Sequence, residues 1–170
     1  MKKKTSPLVS VVMGSDSDLP IMQEAIDMLD TFGIPNELFL TSAHRAPERT
    51  ADYARTAAER GIKIIIAGAG AAAHLAGVIA SNTTLPVIGV PIDATSLKGL
   101  DALLATVQMP GGIPVATMAL GKAGAKNAAL LSVRILALQD SAMDKKLCAY
   151  IEKMAQDVER KHEDIKCRKS

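Results

Sequence analysis

Leu8-Val9-Ser10-Val11-Val12-Met13-Gly14-Ser15-Asp16-Ser17-Asp18 decides the fold. A short apolar run rich in valine stops at a glycine and gives way to hydroxyls and carboxylates. β-Branched residues suit a pleated, buried surface, whereas Ser and Asp open helices by accepting hydrogen bonds from free backbone amides. The stretch therefore reads strand, loop, helix.

The same unit recurs along the chain. Strands are expected at Val9–Met13, Asn36–Thr41, Lys63–Ala67, Val87–Val90 and Val115–Met118. Helices are expected near Asp18–Thr31, Pro47–Arg60, Ala72–Ser81, Gly99–Gln108 and Lys122–Leu138, with Gly33, Pro35 and Gly61 punctuating helix ends. The strands are short and almost continuously apolar, as in sheets covered on both faces. Consecutive strand–helix units with short connections imply a right-handed, doubly wound parallel sheet. The expected architecture is a three-layer α/β sandwich in flavodoxin-like order, one domain over residues 1–170, with a flexible N-terminus at 1–7.

From Asp140 the pattern changes. Met143, Leu147, Tyr150 with Ile151, Met154 and Val158 recur at three- and four-residue spacing, which makes one apolar stripe on a long helix. Such a helix over 140–170 needs a surface to cover: its own domain can supply one, and a neighbouring subunit is at least as good a candidate. Small residues dominate elsewhere: the 170-residue chain has no Trp, two Phe and two Tyr. Its core must be built from Ala, Val, Ile, Leu and Met, with close approach of helices, sheet or subunits.

Composition also excludes several classes. Net charge is +2, with the excess at Lys2, Lys3 and Lys4 and at Lys161, Lys166, Arg168 and Lys169. Solvated termini account for that, and without a basic stripe or stacking aromatics there is no case for nucleic acid. Cys148 and Cys167 fit no metal-ligand spacing and, if on one helix, stand about 28 Å apart. They cannot pair within the chain, which argues against zinc and for a reducing compartment, the cytoplasm. The uncharged run Ile64–Ile92 is punctuated by Gly68, Gly70, Gly77, Pro86, Gly89 and Pro91, so no membrane span is expected.

In a parallel sheet, loops at the carboxyl ends of strands meet on one rim, and ligands bind there. Two polar clusters far apart in sequence thereby become neighbours. Gly14 lets backbone approach a ligand, Ser15 and Ser17 supply hydroxyls, and the following helix start favours an anion. Asp18 would repel phosphate, so its better role is to accept from sugar hydroxyls. Plain helix capping explains the same residues equally well. In Ser42-Ala43-His44-Arg45, Arg45 can hold phosphate bidentately and His44 can move a proton near neutral pH. A surface histidine and a salt-bridged arginine is the plainer alternative.

Gly68-Ala69-Gly70-Ala71-Ala72-Ala73-His74 fits a loose dinucleotide fingerprint, with Asp93 near the distance of a ribose acid. The plainer reading is a tight small-residue loop whose amides line a pocket, with His74 a buried, hydrogen-bonded residue. Gln108–Pro114 reads equally as pocket wall or turn. Gly121-Lys122-Ala123-Gly124 lacks the spacing and the hydroxyl of a P-loop.

Taken in order, V-M-G-S-x-S-D, S-A-H-R, I-A-G-A-G-x-A-A-H-L, P-V-I-G-V-P, V-Q-M-P-G-G-I-P-V-A-T and G-K-A-G-A-x-N-A-A-L-L resemble the N5-carboxyaminoimidazole ribonucleotide mutase family. The resemblance covers about Val9 to Leu138. It implies an enzyme of purine biosynthesis that interconverts N5-carboxyaminoimidazole ribonucleotide and 4-carboxy-5-aminoimidazole ribonucleotide without metal or organic cofactor. On the matching positions, His44 would be the general acid/base. Ser15, Asp18 and Arg45 would bind the ribonucleotide substrate, Ser17 and Ser42 would help at its phosphate, and the loop from Gly68 to His74, with Gly70 and Ala71, would close over the migrating carboxylate. The resemblance further implies a homo-octamer and a separate ATP-dependent synthase that makes the substrate.

The chain departs from the family loop G-A-G-G-A-A-H-L-P-G-M at three positions. Ala71 stands for a glycine, Ala76 for the proline and Val78 for the methionine. At φ > 0 an alanine at position 71 costs about 1 kcal/mol or more. A related class that carboxylates aminoimidazole ribonucleotide directly resembles S-A-H-K, so Arg45 and Ala73-His74-Leu75 favour the mutase. A non-catalytic nucleotide-binding module and a structural oligomer built by the tail are the readings from other classes.

Overall fold

A computed structural model describes residues 6–167. The basic residues Lys2, Lys3, Lys4, Arg168 and Lys169 lie outside the described residues, as does most of the expected flexible N-terminus. Five parallel strands form one sheet in the order β2-β1-β3-β4-β5: β1 Val9–Met13, β2 Asn36–Leu40, β3 Ile64–Gly70, β4 Val87–Ile92 and β5 Ala116–Thr117. Helices α1 Leu19–Phe32, α2 Pro47–Thr56, α3 Leu75–Ala80, α4 Leu100–Val107, α5 Gly121–Ala137 and α6 Ser141–Cys167 follow the expected order. One compact unit ends at Ser132 and a second begins at Val133.

The first unit is layered by the alternation of its strands. Ile65, Ala67 and Val87 face α2 and α3, where Tyr53, Ala54, Leu75, Ala76 and Ile79 complete one buried layer. The intervening positions face α1: a methyl added to Gly68 would lie 2.3 Å from Met22 Sδ. The start of α5 lies beside α1, tied by a 3.2 Å Lys122–Glu24 ion pair. All of β1 and β4 is buried, which explains their near-continuous apolar sequence. Gly33, at φ 71°, closes α1 in the left-handed turn that glycine makes without steric cost.

Edge strand β2 is closed by side chains from α2 and the turn after it. Tyr53 stacks on Phe39, donates to Glu37 and accepts from Ser10, and Arg60 lies over its ring. Burial, then the Glu37 bond, push the Tyr53 hydroxyl well above its ordinary pKa, so it stays a donor.

Element boundaries move where tertiary contacts overrule local sequence. β3 runs on through Gly70, because its ladder with β4 continues to the pair Gly70–Ile92. Gly68-Ala69-Gly70 is therefore strand rather than the expected loop, and α3 begins only at Leu75. The Ile64–Ile92 run becomes β3, α3 and β4, and no described helix is long and apolar enough to cross a membrane.

Gly70 fixes the spacing of β3 against the chain leaving β4: an added methyl would stand 2.5 Å from Ala94 Cβ and 3.1 Å from Ile92 O. Gly70→Ala should therefore destabilise the fold by about 1–3 kcal/mol in urea unfolding. Gly111→Ala, with nothing within 4 Å, should stay within about 0.5 kcal/mol of the parent.

Candidate active site

The carboxyl ends of β1, β2 and β3 open onto a cleft of about 340 Å³. Gly14, Ser15, Ser17 and Asp18 line it after β1, and Ser42, Ala43, His44 and Arg45 after β2. Gly70 and Ala71 line it at the end of β3. The volume is of the size that small-molecule sites have.

The first wall is a capping turn. Ser15 is extended at φ −148°, and its amide donates to Asp18 Oδ2 at 3.0 Å. Its hydroxyl oxygen accepts from the Ser17 amide at 3.4 Å and from the Ser17 hydroxyl at 2.9 Å. The capping reading is thus realised, and the capping residues also line the cleft. Asp18 is 4% exposed. Burial raises its pKa above the ordinary carboxylate value, and the amides of Ser15 and Gly14 oppose that less strongly.

The second wall is built on threonines and a tight turn. Thr41 extends the ladder by donating its amide to Met13 O at 3.0 Å, and its buried hydroxyl bonds that of Thr50 on α2 at 2.9 Å. The Ala46 amide returns to Ser42 O at 2.9 Å, so the chain turns once before Pro47 opens α2. Ser42 Oγ accepts from the Arg45 amide at 3.2 Å and from its Nε at 3.4 Å. The guanidinium also reaches Gly14 O at 3.4 Å but has no carboxylate partner among the described residues. An unpaired cation beside hydroxyls and a turn of backbone is a receptor for an anion.

The third wall carries the second imidazole. His74 Nδ1 lies 2.8 Å from His44 Nε2, with the rings edge to face. One nitrogen of that pair carries the proton and the other accepts it. His74 is exposed, so the expectation of a buried histidine is corrected: its partner comes from the loop after β2, not from the core. Ala71 adopts φ 53°, a conformation costing a non-glycine residue about 1–2 kcal/mol. Ala76 is buried in α3 against the sheet at Gly89, where the family has its proline.

The cleft gathers nine of the ten site residues expected from sequence, and His74 joins it through His44. Ala69 and Ala72, from the segment expected to line a pocket, also line it, as do Leu75 and Ala94, which were not anticipated. Ala94 had one signal, the glycine at position 70 that gives it room. Asp93 lies elsewhere, in a pocket with Lys98, Leu120 and Lys122, so the dinucleotide arrangement is not formed. Met109 seats the Gln108–Pro114 loop on α3 at Gly77, outside the cleft. Among the described residues no cluster of three or more His, Cys, Asp or Glu groups is placed to hold a metal ion.

Residues 8–157 match the family described as AIR carboxylase. The chain belongs to that family. The AIR carboxylase relatives include the N5-carboxyaminoimidazole ribonucleotide mutase of Pyrococcus horikoshii, 57% identical over 159 residues, which are 94% of this chain and 89% of the relative. The mutase of the same name from Bacillus subtilis is 56% identical over 141 residues, covering 83% and 87%. A crystal structure of Treponema denticola PurE superposes with TM-score 0.81 at 31% identity, over 91% of this chain and 95% of that one.

Because burial raises the Asp18 pKa, its protonated form is the one folding favours. That contribution is complete below the unfolded pKa and is lost as pH rises through the folded one. Asp18→Asn keeps an acceptor for the Ser15 amide and removes the buried charge. Thermal melts should show the variant gaining on the parent as pH rises from about 4 to about 7. A gap that shrinks over that window contradicts the assignment.

Proposed function

We propose that this chain is an N5-carboxyaminoimidazole ribonucleotide mutase, an enzyme that moves one carboxyl group from nitrogen to carbon on a ribonucleotide in purine biosynthesis. One observation carries the reading. The guanidinium of Arg45, without a carboxylate partner, and the imidazole of His44, itself hydrogen-bonded to His74, open onto one cleft. An anion and a proton in transit are thereby served side by side. The relatives bearing the mutase name support the same assignment.

The chemistry follows from these groups. Phosphate lies against Arg45, Ser17 and Ser42, and the ribose hydroxyls donate to Asp18. His44 gives its proton to the carbamate nitrogen, the N–C bond breaks, and carbon dioxide is released beside the enamine-like C4 of aminoimidazole ribonucleotide. C4 attacks that carbon dioxide, and neutral His44 removes the C4 proton. One imidazole thus serves both proton transfers and ends protonated, as it began. The direction in which His44 Nε2 meets His74 Nδ1 is the one a substrate nitrogen takes over. The loop Gly70–His74 holds carbon dioxide close enough to be recaptured.

The assembly is part of the proposal. Leu100, Leu104 and Val107 leave an apolar stripe exposed along α4, with Leu97 exposed just before it, as do Ile151, Met154 and Val158 along α6. Copies of the chain cover these faces, with the 140–170 helix packing on a neighbour, in an octamer of eight times the 17.9 kDa chain mass. The substrate carbamate calls for an ATP-consuming synthase. The free, exposed Cys148 and Cys167 suit a reducing cytoplasm.

His44→Asn should lower kcat by about 10²–10⁴-fold with KM nearly unchanged. Arg45→Met should raise KM by about 10- to 100-fold through loss of a charge-assisted bond. Steady-state kinetics on the mutase reaction check both, and a His44→Asn enzyme with parental kcat would overturn the mechanism.

A further inference from the structure

We infer that Ala71 is a positioning residue: its left-handed backbone is the bend that carries His74 across to His44. β3 stays paired to β4 as far as Gly70, and α3 begins at Leu75, so the chain has four residues in which to leave the sheet. It does so by two successive tight turns. The Ala73 amide donates to Ala71 O at 2.9 Å and the His74 amide to Ala72 O at 2.8 Å. His74 O then accepts from the Val78 amide at 2.9 Å, opening the helix. The backbone of His74 is thus tied on both sides, and its ring meets His44 at 2.8 Å.

The bend that starts this series is Ala71 at φ 53°. The other non-glycine residue with positive φ among those described is Lys98, which lines a different pocket. Ala71 is exposed, so side-chain packing does not hold it in this conformation. The hydrogen-bonded turns on one side and the β3–β4 ladder on the other do so. Ala71 lines the cleft while its backbone directs the imidazole pair, and the two roles rank an Asn at this position differently.

The kinetic arm of the test rests on the mutase reading; the spectroscopic arm does not. Gly and Asn tolerate the left-handed conformation, whereas the β-branched Val and Thr do not. Asn is close in size to Val and Thr, so the set separates backbone preference from volume. In ligand-free protein, the ring ¹⁵N shifts of His44 and His74 should remain parental in A71G and A71N and move in A71V and A71T. In the mutase assay, A71V and A71T should fall about tenfold or more in kcat below A71G and A71N, with KM little changed among the four. A71T carries the test if A71V does not fold. A ranking by volume, with A71N grouped with A71V and A71T, overturns the inference, as do parental ring shifts in all four. If the parent shows no mutase turnover, the function fails while the shifts still decide the role of Ala71.

Discussion

The candidate site depends on one imidazole–imidazole hydrogen bond. His44 follows β2 and His74 follows β3, and both strands flank β1. Strands two places apart in a sheet lie about 10 Å from each other. Two imidazoles reaching inward across the end of β1 span that distance. Because one ring must accept what the other donates, the pair holds a proton in place, ready to be handed on. Parallel order puts both rings on the same rim as the capping turn after β1 and the Arg45 guanidinium. An antiparallel arrangement would separate them.

Close approach maintains the rim. Met22 occupies the space above Gly68, Ala94 that above Gly70, and Thr106 that above Gly89. Each contact lets a helix or loop lie against the sheet where a larger residue would hold it away. With so few aromatics, the fold gains its packing from small residues and aliphatic chains brought near one another. The cost falls at the site itself, where Asp18 is buried against its charge and Ala71 is bent against its preference. Residues held by a fold against their own tendencies cluster at functional sites.

Much of this was legible in the sequence, for physical reasons. β1 and β4 begin at the expected residues because near-continuous apolar runs have no other place in a layered α/β unit, and the half-exposed edge strand β2 begins at its expected residue too. The rim residues could be named because parallel topology alone brings Ser15, Asp18, His44 and Arg45 together. The length of β3 was not legible, since pairing with β4, not local propensity, carries it through two glycines. The exposure of His74 was hidden for the same reason: its partner lies thirty residues away and becomes visible only once the strands are ordered. Ala94 carries no chemical signal of its own. Along α6 the apolar stripe was legible and the helix formed, with Leu147 buried and Ile151, Met154 and Val158 left exposed.

A mutase carries one carboxyl group from nitrogen to carbon without letting it leave the cleft. The direct measurement supplies N5-carboxyaminoimidazole ribonucleotide labelled with ¹³C in its carbamate, in excess unlabelled bicarbonate, and reads the label in the C4-carboxylated product by NMR. A parallel sample receives aminoimidazole ribonucleotide and labelled bicarbonate. Label should be retained in the first sample, with little product in the second. Label lost to the bicarbonate pool, or product formed mainly in the second sample, would contradict the mutase reading and assign the chain to direct carboxylation.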